Sequence, residues 1–413
     1  MTPRALHRRA PALALAAAAV LAMALTPNTS AGVPAGGAAV LSALQQTLDH
    51  YLATRSAIEH ISAASLSVSV RGASTNINVT AGRTRFGGGA PVTPDDLFQI
   101  GSNTKAFTAV LLLQLEAEGR LSIDDRLGRW LPQYPAWKDM SIRSLLDMTT
   151  RIPTYDDTTE FLSAMGSGPD TDWTPAELVA FSYPAVGPAP PRGPGWVYSN
   201  TNYIMAQMIV EKATGDTYTN ELTRRLLGPL GLRATYYSPS HYPPAVMARL
   251  VAGYYFNDDP SLRPAASLIG RDVSALSLSW AQGAGGMVST MEDLTTWVRA
   301  LYEGPALAPA QRRELLRIVS TNTGAPIVTT TLRDPRGFGL GVAQVTTAET
   351  GTVWFYEGET LGYRVLYAYV PTTGTIIAVG LNSQPTSIPG RNDDHIGQLM
   401  GAIYAVLHRA HLA

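Results

Sequence analysis

The sequence predicts a mixed α/β (α+β) protein whose central antiparallel sheet is formed by N- and C-terminal segments and flanked by helices. Two observations support this fold class. Strand-like segments occur in two groups far apart in the chain: alternating apolar residues at 66–70 and 77–81, and three further strand-like runs at 353–356, 363–370 and 375–381. Helical periodicity dominates the residues between the two groups. We therefore expect a mostly helical subdomain, at roughly residues 120–290, inserted between the two parts of the sheet.

Helices are predicted in three parts of the chain. Leucines at 41, 44, 48 and 52 repeat at helical spacing and indicate an amphipathic opening helix. Six periodic segments follow the first strands: 104–118, 141–148, 175–181, 202–214, 219–227 and 290–302. The last segment, 394–408, indicates a helix that covers the sheet, and a loop rich in proline and glycine occupies 184–195.

The first 31 residues have the features of an export signal. Three arginines precede an apolar run at 12–25, which is shorter than the roughly 20 residues that a membrane-spanning helix needs. A membrane anchor is the alternative interpretation of this run. We predict a signal peptide at 1–31 and a secreted, extracytoplasmic hydrolase domain at 32–413, without stable membrane insertion after cleavage.

Composition excludes several classes of function. Loss of the three arginines lowers the formal net charge from −1 by three, because no acidic residue precedes residue 32, so we expect no nucleic-acid partner. The chain has no cysteine, which excludes thiol catalysis and thiolate metal sites. Its seven histidines include no H-E-x-x-H pair, and G-x-S-x-G is absent. We predict no metal and no organic cofactor.

A serine and a lysine form the most informative motif, Ser102-Asn103-Thr104-Lys105. Only three of the 31 basic residues are lysines, and this one follows a serine by three positions, so both side chains share one face of a helix. A buried lysine can lose its proton, whereas an arginine cannot. The apolar run at 107–115 indicates that this helix is buried. A helix cap beside a surface lysine is the alternative interpretation.

A second motif, Tyr198-Ser199-Asn200, lies where the Pro/Gly-rich loop meets a predicted helix. The phenol can relay protons, and the amide can orient Lys105 and a substrate carbonyl group. Such a tripeptide alone also fits a helix cap. The two motifs together predict acyl transfer, with Ser102 as the nucleophile.

The chain resembles the serine penicillin-recognising hydrolases, which include class C β-lactamases, D-alanyl-D-alanine carboxypeptidases, D-aminopeptidases and related esterases. The resemblance rests on six segments in matching order: 98–105, 119–125, 142–146, 194–203, 285–290 and 337–341. It implies a β-lactamase/transpeptidase-like fold. It also implies that Lys105 and Tyr198 share proton transfers, without deciding which accepts the proton of Ser102. Asn200 would contact the substrate, and Glu359 would add its backbone N–H to that of Ser102 in an oxyanion hole.

The third family motif departs from the usual pattern. In the family this motif is a lysine or histidine, then any residue, then a glycine. In this chain it is Tyr356-Glu357-Gly358, followed by Glu359. The resemblance implies substrate-binding roles for Tyr356, Gly358 and Glu359. The missing cation weakens the case for β-lactams and terminal D-Ala, because relatives use this position to bind a substrate carboxylate. Arg364 and Arg151 are candidates to replace that charge.

These observations predict an exported serine hydrolase that forms an acyl-enzyme on Ser102. The leading expectation is a D-alanyl-D-alanine carboxypeptidase-like or D-aminopeptidase-like activity on small amides, with cell-wall peptides among the candidate substrates. The alternative is a β-lactamase-like carboxylesterase, because relatives with an aromatic residue at the position of Tyr356 include esterases. A third hypothesis is a catalytically silent protein that binds peptides.

Overall fold

The computed structural model of the chain describes residues 37–184, 195–388 and 391–413. The predicted signal peptide at 1–31 and most of the predicted loop at 184–195 lie outside the described residues. Within these ranges, no helix combines the length and the apolar character that crossing a membrane requires.

Seventeen short and long strands occur in the described residues. In chain order they are β1 Ala63–Ser69, β2 Ile77–Arg85, β3 Gly88–Pro91, β4 Phe98–Gln99, β5 Thr235–Tyr237, β6 Tyr254–Tyr255, β7 Met287–Ser289, β8 Ile318–Ser320, β9 Pro326–Ile327, β10 Arg336–Phe338, β11 Ala343–Thr347, β12 Gly351–Glu359, β13 Arg364–Val370, β14 Thr375–Leu381, β15 Ser383–Gln384, β16 Ser387–Ile388 and β17 Arg391–Asn392.

Ten of these strands form one antiparallel sheet in the order β3-β2-β1-β14-β13-β12-β11-β10-β8-β9. The N-terminal strand β1 lies directly beside the C-terminal strand β14, with Leu66 opposite Val379. Residues of β13 and β14 are buried on both faces, which explains their nearly continuous apolar sequence. The prediction that both ends of the chain build one sheet is confirmed.

In the part of the chain that the structure describes, thirteen α-helices surround this sheet and a small three-stranded sheet of β4, β7 and β5. They are α1 Gly37–Glu59, α2 Thr104–Ala117, α3 Leu127–Trp130, α4 Ile142–Leu146, α5 Thr159–Ser167, α6 Pro175–Ala180, α7 Asn200–Thr214, α8 Tyr218–Leu222, α9 Pro244–Met247, α10 Gln282–Gly285, α11 Met291–Tyr302, α12 Pro309–Leu315 and α13 Ile396–Arg409. The predicted helix at 219–227 is α8 followed by a π-helical turn at Thr223–Leu227. The division at about 120 and 290 stays a prediction.

Helices cover both faces of the main sheet. Helices α1 and α13 pack together and against strands of its N- and C-terminal half, whereas α11 packs on β1 and β14, and α2 lies among α7, α10 and α12. Every residue of α2 from Thr104 to Leu113 is buried, as its apolar sequence predicts. The start of α2 therefore brings the predicted nucleophile and lysine into the interior beside the sheet.

Candidate active site

The predicted nucleophile lies on a sharp turn between a strand and the central helix. Strand β4 leads into one turn of 3-10 helix at Gly101–Asn103, and α2 begins at Thr104. Gly101 has φ +50°, and a Cβ atom there would lie 2.5 Å from the carbonyl oxygen of Glu359. This close approach requires glycine, and it brings strand β12 against the turn that carries Ser102.

The three predicted acid–base residues meet around one hydroxyl group. The Nζ of Lys105 lies 2.9 Å from the Oγ of Ser102, and the hydroxyl of Tyr198 lies 2.6 Å from the same Oγ. Lys105 and Ser102 share the first turn of a helix, whereas Tyr198 comes from the segment before α7. The Ser102 hydroxyl therefore contacts both a proton acceptor and a proton donor.

Lys105 is fully buried and has no carboxylate at salt-bridge distance among the described residues. Burial lowers the pKa of its amine to about 7, and the more distant charge of Asp156 opposes this shift. The amine donates a hydrogen bond to the carbonyl oxygen of Ala284 over 2.7 Å. A large fraction of Lys105 is therefore uncharged at neutral pH.

Tyr198 has the opposite character. Burial raises the pKa of its phenol, although the hydrogen bond with Ser102 partly offsets this effect. The Nζ of Lys105 lies 4.9 Å from the centroid of the Tyr198 ring. At neutral pH the phenol keeps its proton and can donate it to a neighbouring atom.

Two backbone N–H groups face the position in front of Ser102. The N–H of Ser102 belongs to the first turn of a helix, where amides have no partner within the helix. The N–H of Thr360 donates a hydrogen bond to the carbonyl oxygen of Tyr363 across the β12–β13 hairpin. In an antiparallel pair, successive residues point their N–H groups to opposite edges of the strand, so the N–H of Glu359 points to the open edge of β12. The Glu359 nitrogen would lie 2.6 Å from a Cβ on Gly101. This geometry suits an oxyanion hole.

Gly358 allows strand β12 to come this close. A Cβ atom at Gly358 would lie 2.0 Å from the carbonyl oxygen of Ile100 and 2.6 Å from the side-chain nitrogen of Asn103. Asn103 itself ties the strands together, because its amide donates to Ile100 and to the carbonyl oxygen of Val365 on β13. Gly358 therefore has a positioning role, and any larger side chain would push β12 away from Ser102.

Asn200 begins α7, two residues earlier than predicted. Its side-chain nitrogen donates to the carboxylate of Asp156 over 2.6 Å, and its backbone nitrogen donates to the hydroxyl of Thr154 over 2.9 Å. Asp156 was not predicted, because it belongs to no motif and lies 44 positions from Asn200 in the chain. The contact gives the predicted substrate-binding amide an acidic neighbour.

Tyr356 replaces the cation of the third motif with a buried phenol, only 1 % exposed. Its ring packs edge-on against Phe338 at 5.9 Å, Phe338 lies 5.5 Å from Trp196, and Trp196 lies 6.4 Å from Tyr198. Trp196 and Phe338 were not singled out as site residues, although both lie in segments that resemble the family. These four aromatic residues form one wall beside Ser102.

The two glutamates of the third motif lie on the face of β12 opposite to Tyr356, because side chains alternate along a strand. Carboxylate oxygens of Glu357, Glu359 and Asp394 lie within 4.8 Å of one another. Burial, and then the charge of Asp394, raises the pKa of Glu359 to about 7. The backbone of Glu359 therefore faces the nucleophile, whereas its side chain belongs to a separate acidic group.

The contacts of Arg364 and Arg151 do not identify either residue as a replacement for the missing cation. Arg364 is fully buried, lies 2.9 Å from Glu59 and also pairs with Asp394, so its charge joins β13 to the ends of α1 and α13. Arg151 has φ +60° and lies against Gly195, where a Cβ would be 3.2 Å from the Arg151 Nε. Arg364 is thus a structural residue, and Arg151 borders the segment leading to Tyr198.

Several curated proteins are similar to part of this chain. Penicillin-binding protein 4* of Bacillus subtilis is 24% identical over 313 residues, which cover 72% of this chain and 63% of that protein. Protein flp of Staphylococcus aureus is 26% identical over 240 residues, which cover 56% of this chain and 44% of that protein. The chain therefore matches between about half and two thirds of the length of these relatives.

Solved structures match more completely. A D-stereospecific amidohydrolase from Streptomyces sp. has 29% sequence identity and a TM-score of 0.68, with 83% of this chain and 94% of that chain covered. The D-amino acid amidase of Ochrobactrum anthropi in complex with D-phenylalanine has 25% identity and a TM-score of 0.73, with 90% and 99% covered. These similarities confirm the predicted fold class.

The resemblance deduced from the motifs extends over almost the whole described chain. Residues 44–399 match the family described as Beta-lactamase, a range that includes Ser102, Lys105, Tyr198 and Tyr356. The chain therefore belongs to the Beta-lactamase family of serine penicillin-recognising hydrolases.

Proposed function

We propose that the protein is an exported serine hydrolase that forms an acyl-enzyme on Ser102 and cleaves small amides of D-amino acids. The observation that carries the proposal is the Ser102 hydroxyl held 2.9 Å from a buried amine and 2.6 Å from a buried phenol. The substrate class is supported by the similar solved structures, one a D-stereospecific amidohydrolase and one a D-amino acid amidase bound to D-phenylalanine.

In the first step, the uncharged amine of Lys105 accepts the proton of Ser102 while the Oγ attacks the amide carbonyl carbon. Lys105 suits this role better than Tyr198, because the pKa of the amine is lowered to about 7 whereas that of the phenol is raised. The carbonyl oxygen becomes an oxyanion, which the N–H groups of Ser102 and Glu359 stabilise.

In the second step, the C–N bond breaks and the leaving nitrogen takes a proton. Tyr198 donates this proton from its hydroxyl, and the ammonium of Lys105 then returns a proton to the Tyr198 oxygen, so both groups regain their starting states. The product amine departs and leaves an ester on Ser102. Water then attacks that ester while Lys105 accepts a proton from it. The bond between the acyl carbon and the Ser102 Oγ breaks, Lys105 returns the proton to Oγ, and the acid product is released.

A substrate with a free amino group suits the charge of the site. Asp156 lies close enough to influence the pKa values of both Lys105 and Tyr198, and Asn200 holds its carboxylate at 2.6 Å. A carboxylate held by Asn200, at a distance from which it influences Lys105 and Tyr198, attracts a substrate ammonium and repels a terminal carboxylate. This charge favours amino acid amides over peptides ending in D-Ala.

Covalent labelling tests the proposal directly. A fluorophosphonate reagent should label the mature protein and the Ser163→Ala control, whose serine is exposed on α5, but not Ser102→Ala. Labelling of Ser102→Ala at the unmodified rate would exclude Ser102 as the nucleophile. Export is tested separately by expression of the full chain and mass measurement of the secreted product, which should begin at about residue 32.

A carboxylesterase activity is the second candidate, favoured by the buried phenol of Tyr356 in place of a cation. The two candidates separate when D-phenylalaninamide, L-phenylalaninamide, p-nitrophenyl butyrate, a D-Ala-D-Ala peptide and nitrocefin are assayed side by side. We expect D-phenylalaninamide to be the best amide. Strong ester turnover without amide turnover would favour the esterase, and no adduct by intact mass with any activated ester would favour a silent binding protein.

A further inference from the structure

The hydroxyl of Tyr356 is a buried polar group that the mechanism so far does not use. It makes no hydrogen bond of ordinary geometry with the residues that the structure describes, although Tyr356 is only 1 % exposed. A buried hydroxyl without a partner costs free energy on the order of 1–3 kcal/mol. A catalytic role is one recognised explanation for such a group.

Its position connects this hydroxyl with the reacting atoms. Tyr356 shares a strand face with Gly358, which touches the turn that carries Ser102. The aromatic wall of Phe338 and Trp196 then links the Tyr356 ring to Tyr198. Burial raises the pKa of both phenols. Proximity of the two hydroxyls partly offsets this effect at Tyr198, after the larger offset from Ser102, and adds to it at Tyr356.

We propose that Tyr356 is a positioning residue whose hydroxyl donates a hydrogen bond to the Tyr198 oxygen when Tyr198 gives its proton to the leaving nitrogen. This inference rests on the proposed function. As the Tyr198 O–H bond breaks, negative charge develops on its oxygen, and a neutral donor can stabilise that charge without adding a cation. The proton returns from Lys105 to Tyr198, and Tyr356 keeps its own proton throughout.

If Tyr356 assists protonation of the leaving group, its loss should affect substrates differently according to whether their leaving group needs a proton. A purely structural role predicts no such difference. An amide needs a proton on its leaving nitrogen, whereas p-nitrophenolate leaves an ester without one. Loss of the Tyr356 hydroxyl should therefore slow amide cleavage and spare the ester. A general disturbance of the site would slow both substrates to a similar extent.

The experiment compares D-phenylalanine p-nitroanilide with D-phenylalanine p-nitrophenyl ester, which share one acyl group. In Tyr356→Phe we expect kcat/KM for the anilide to fall roughly 10–100-fold, with the ester value changed less than about twofold. The matched control is Tyr367→Phe, which removes a buried phenol hydroxyl from the neighbouring strand, where it bonds to Tyr302 over 3.0 Å. It should leave the ratio of the two substrates unchanged.

Rescue adds a second readout. Tyr356→His restores a hydrogen-bond donor at this position, so it should recover most of the anilide activity that Tyr356→Phe loses. An anilide-to-ester ratio in Tyr356→Phe equal to that of the unmodified protein would overturn the role of Tyr356. If the unmodified protein formed no acyl-enzyme from either substrate, the proposed function itself would be wrong.

Discussion

The amine of Lys105 donates a hydrogen bond to the carbonyl oxygen of Ala284 over 2.7 Å. An uncharged amine has two N–H groups and one lone pair. Because Ala284 accepts one N–H, the amine is held in an orientation from which its lone pair can face Ser102, 2.9 Å away. The short helix α10 therefore orients Lys105, the proposed base, through one backbone oxygen.

The pH dependence of turnover should report the titration of Lys105. Only the uncharged amine accepts a proton, and its pKa is lowered to about 7, so kcat/KM should rise with pH up to about 7 and then level off. Below that point it should fall about tenfold for each unit of pH. A profile that stays level from about pH 5 to 9 would show that Lys105 is not the base.

Lys105→Met should separate activity from stability. We expect turnover to fall roughly 1,000-fold, because the base is lost. Burial lowers the pKa of Lys105 in the folded protein, whereas in the unfolded chain the amine is protonated at neutral pH. Folding must therefore remove this proton, which costs free energy. Replacement of Lys105 should raise the free energy of unfolding by about 1–2 kcal/mol. Chemical denaturation at pH 7 measures this change. Exposed Lys212 provides the control variant Lys212→Met, for which neither quantity should move appreciably.

Asp156→Asn should have two effects on the proposed reaction. The charge of Asp156 raises the pKa of Lys105, so its removal should move the acidic limb of the pH profile to lower pH. If Asp156 attracts a substrate ammonium, KM for D-phenylalaninamide should also increase roughly tenfold. The matched substrate 3-phenylpropanamide lacks the amino group. An equal increase in its KM would contradict the proposed recognition of the ammonium.

Gly358→Ala should inactivate the enzyme without a change of catalytic side chain. The added Cβ would lie 2.0 Å from the carbonyl oxygen of Ile100, so β12 must move away from the nucleophile. We expect a loss of about 1–3 kcal/mol in the free energy of unfolding and slower fluorophosphonate labelling. Gly401→Ala is the control, because a Cβ at this exposed position of α13 meets nothing within 4 Å and should be neutral or slightly stabilising. Normal labelling of Gly358→Ala would show that β12 tolerates the displacement.

The sequence was most informative where the signal is local. The apolar runs of β13, β14 and α2 predicted the central strands and the buried helix, because a segment buried on all sides has an almost wholly apolar sequence. The three-residue spacing between Ser102 and Lys105 is also local, and it predicted that their side chains lie on one face of the helix. The remaining contacts of the site could not be predicted from local patterns, because they join segments far apart in the chain. Ala284 contributes a backbone oxygen, which no residue type specifies.

Two further details depend on tertiary packing. Asp156 contacts Asn200 from a different segment of the chain, and no motif or periodic pattern in the sequence links the two residues. The sequence identified the missing cation at Tyr356 but not the direction of its hydroxyl, since the aromatic wall forms only when β10 and β12 come together with the segment of Trp196. The role of Arg364 was equally hidden, because its partners are Glu59 at the end of α1 and Asp394, two residues before α13.

The pairing of β1 with β14 determines when the hydrolase can become active during synthesis. Strand β1 emerges early from the ribosome, but its sheet partner is among the last segments to be translated. The Glu359 amide likewise arrives long after Ser102. A nascent chain therefore carries Ser102, the proposed nucleophile, without the proposed oxyanion hole, and we expect no acyl transfer until nearly the whole polypeptide is available to fold.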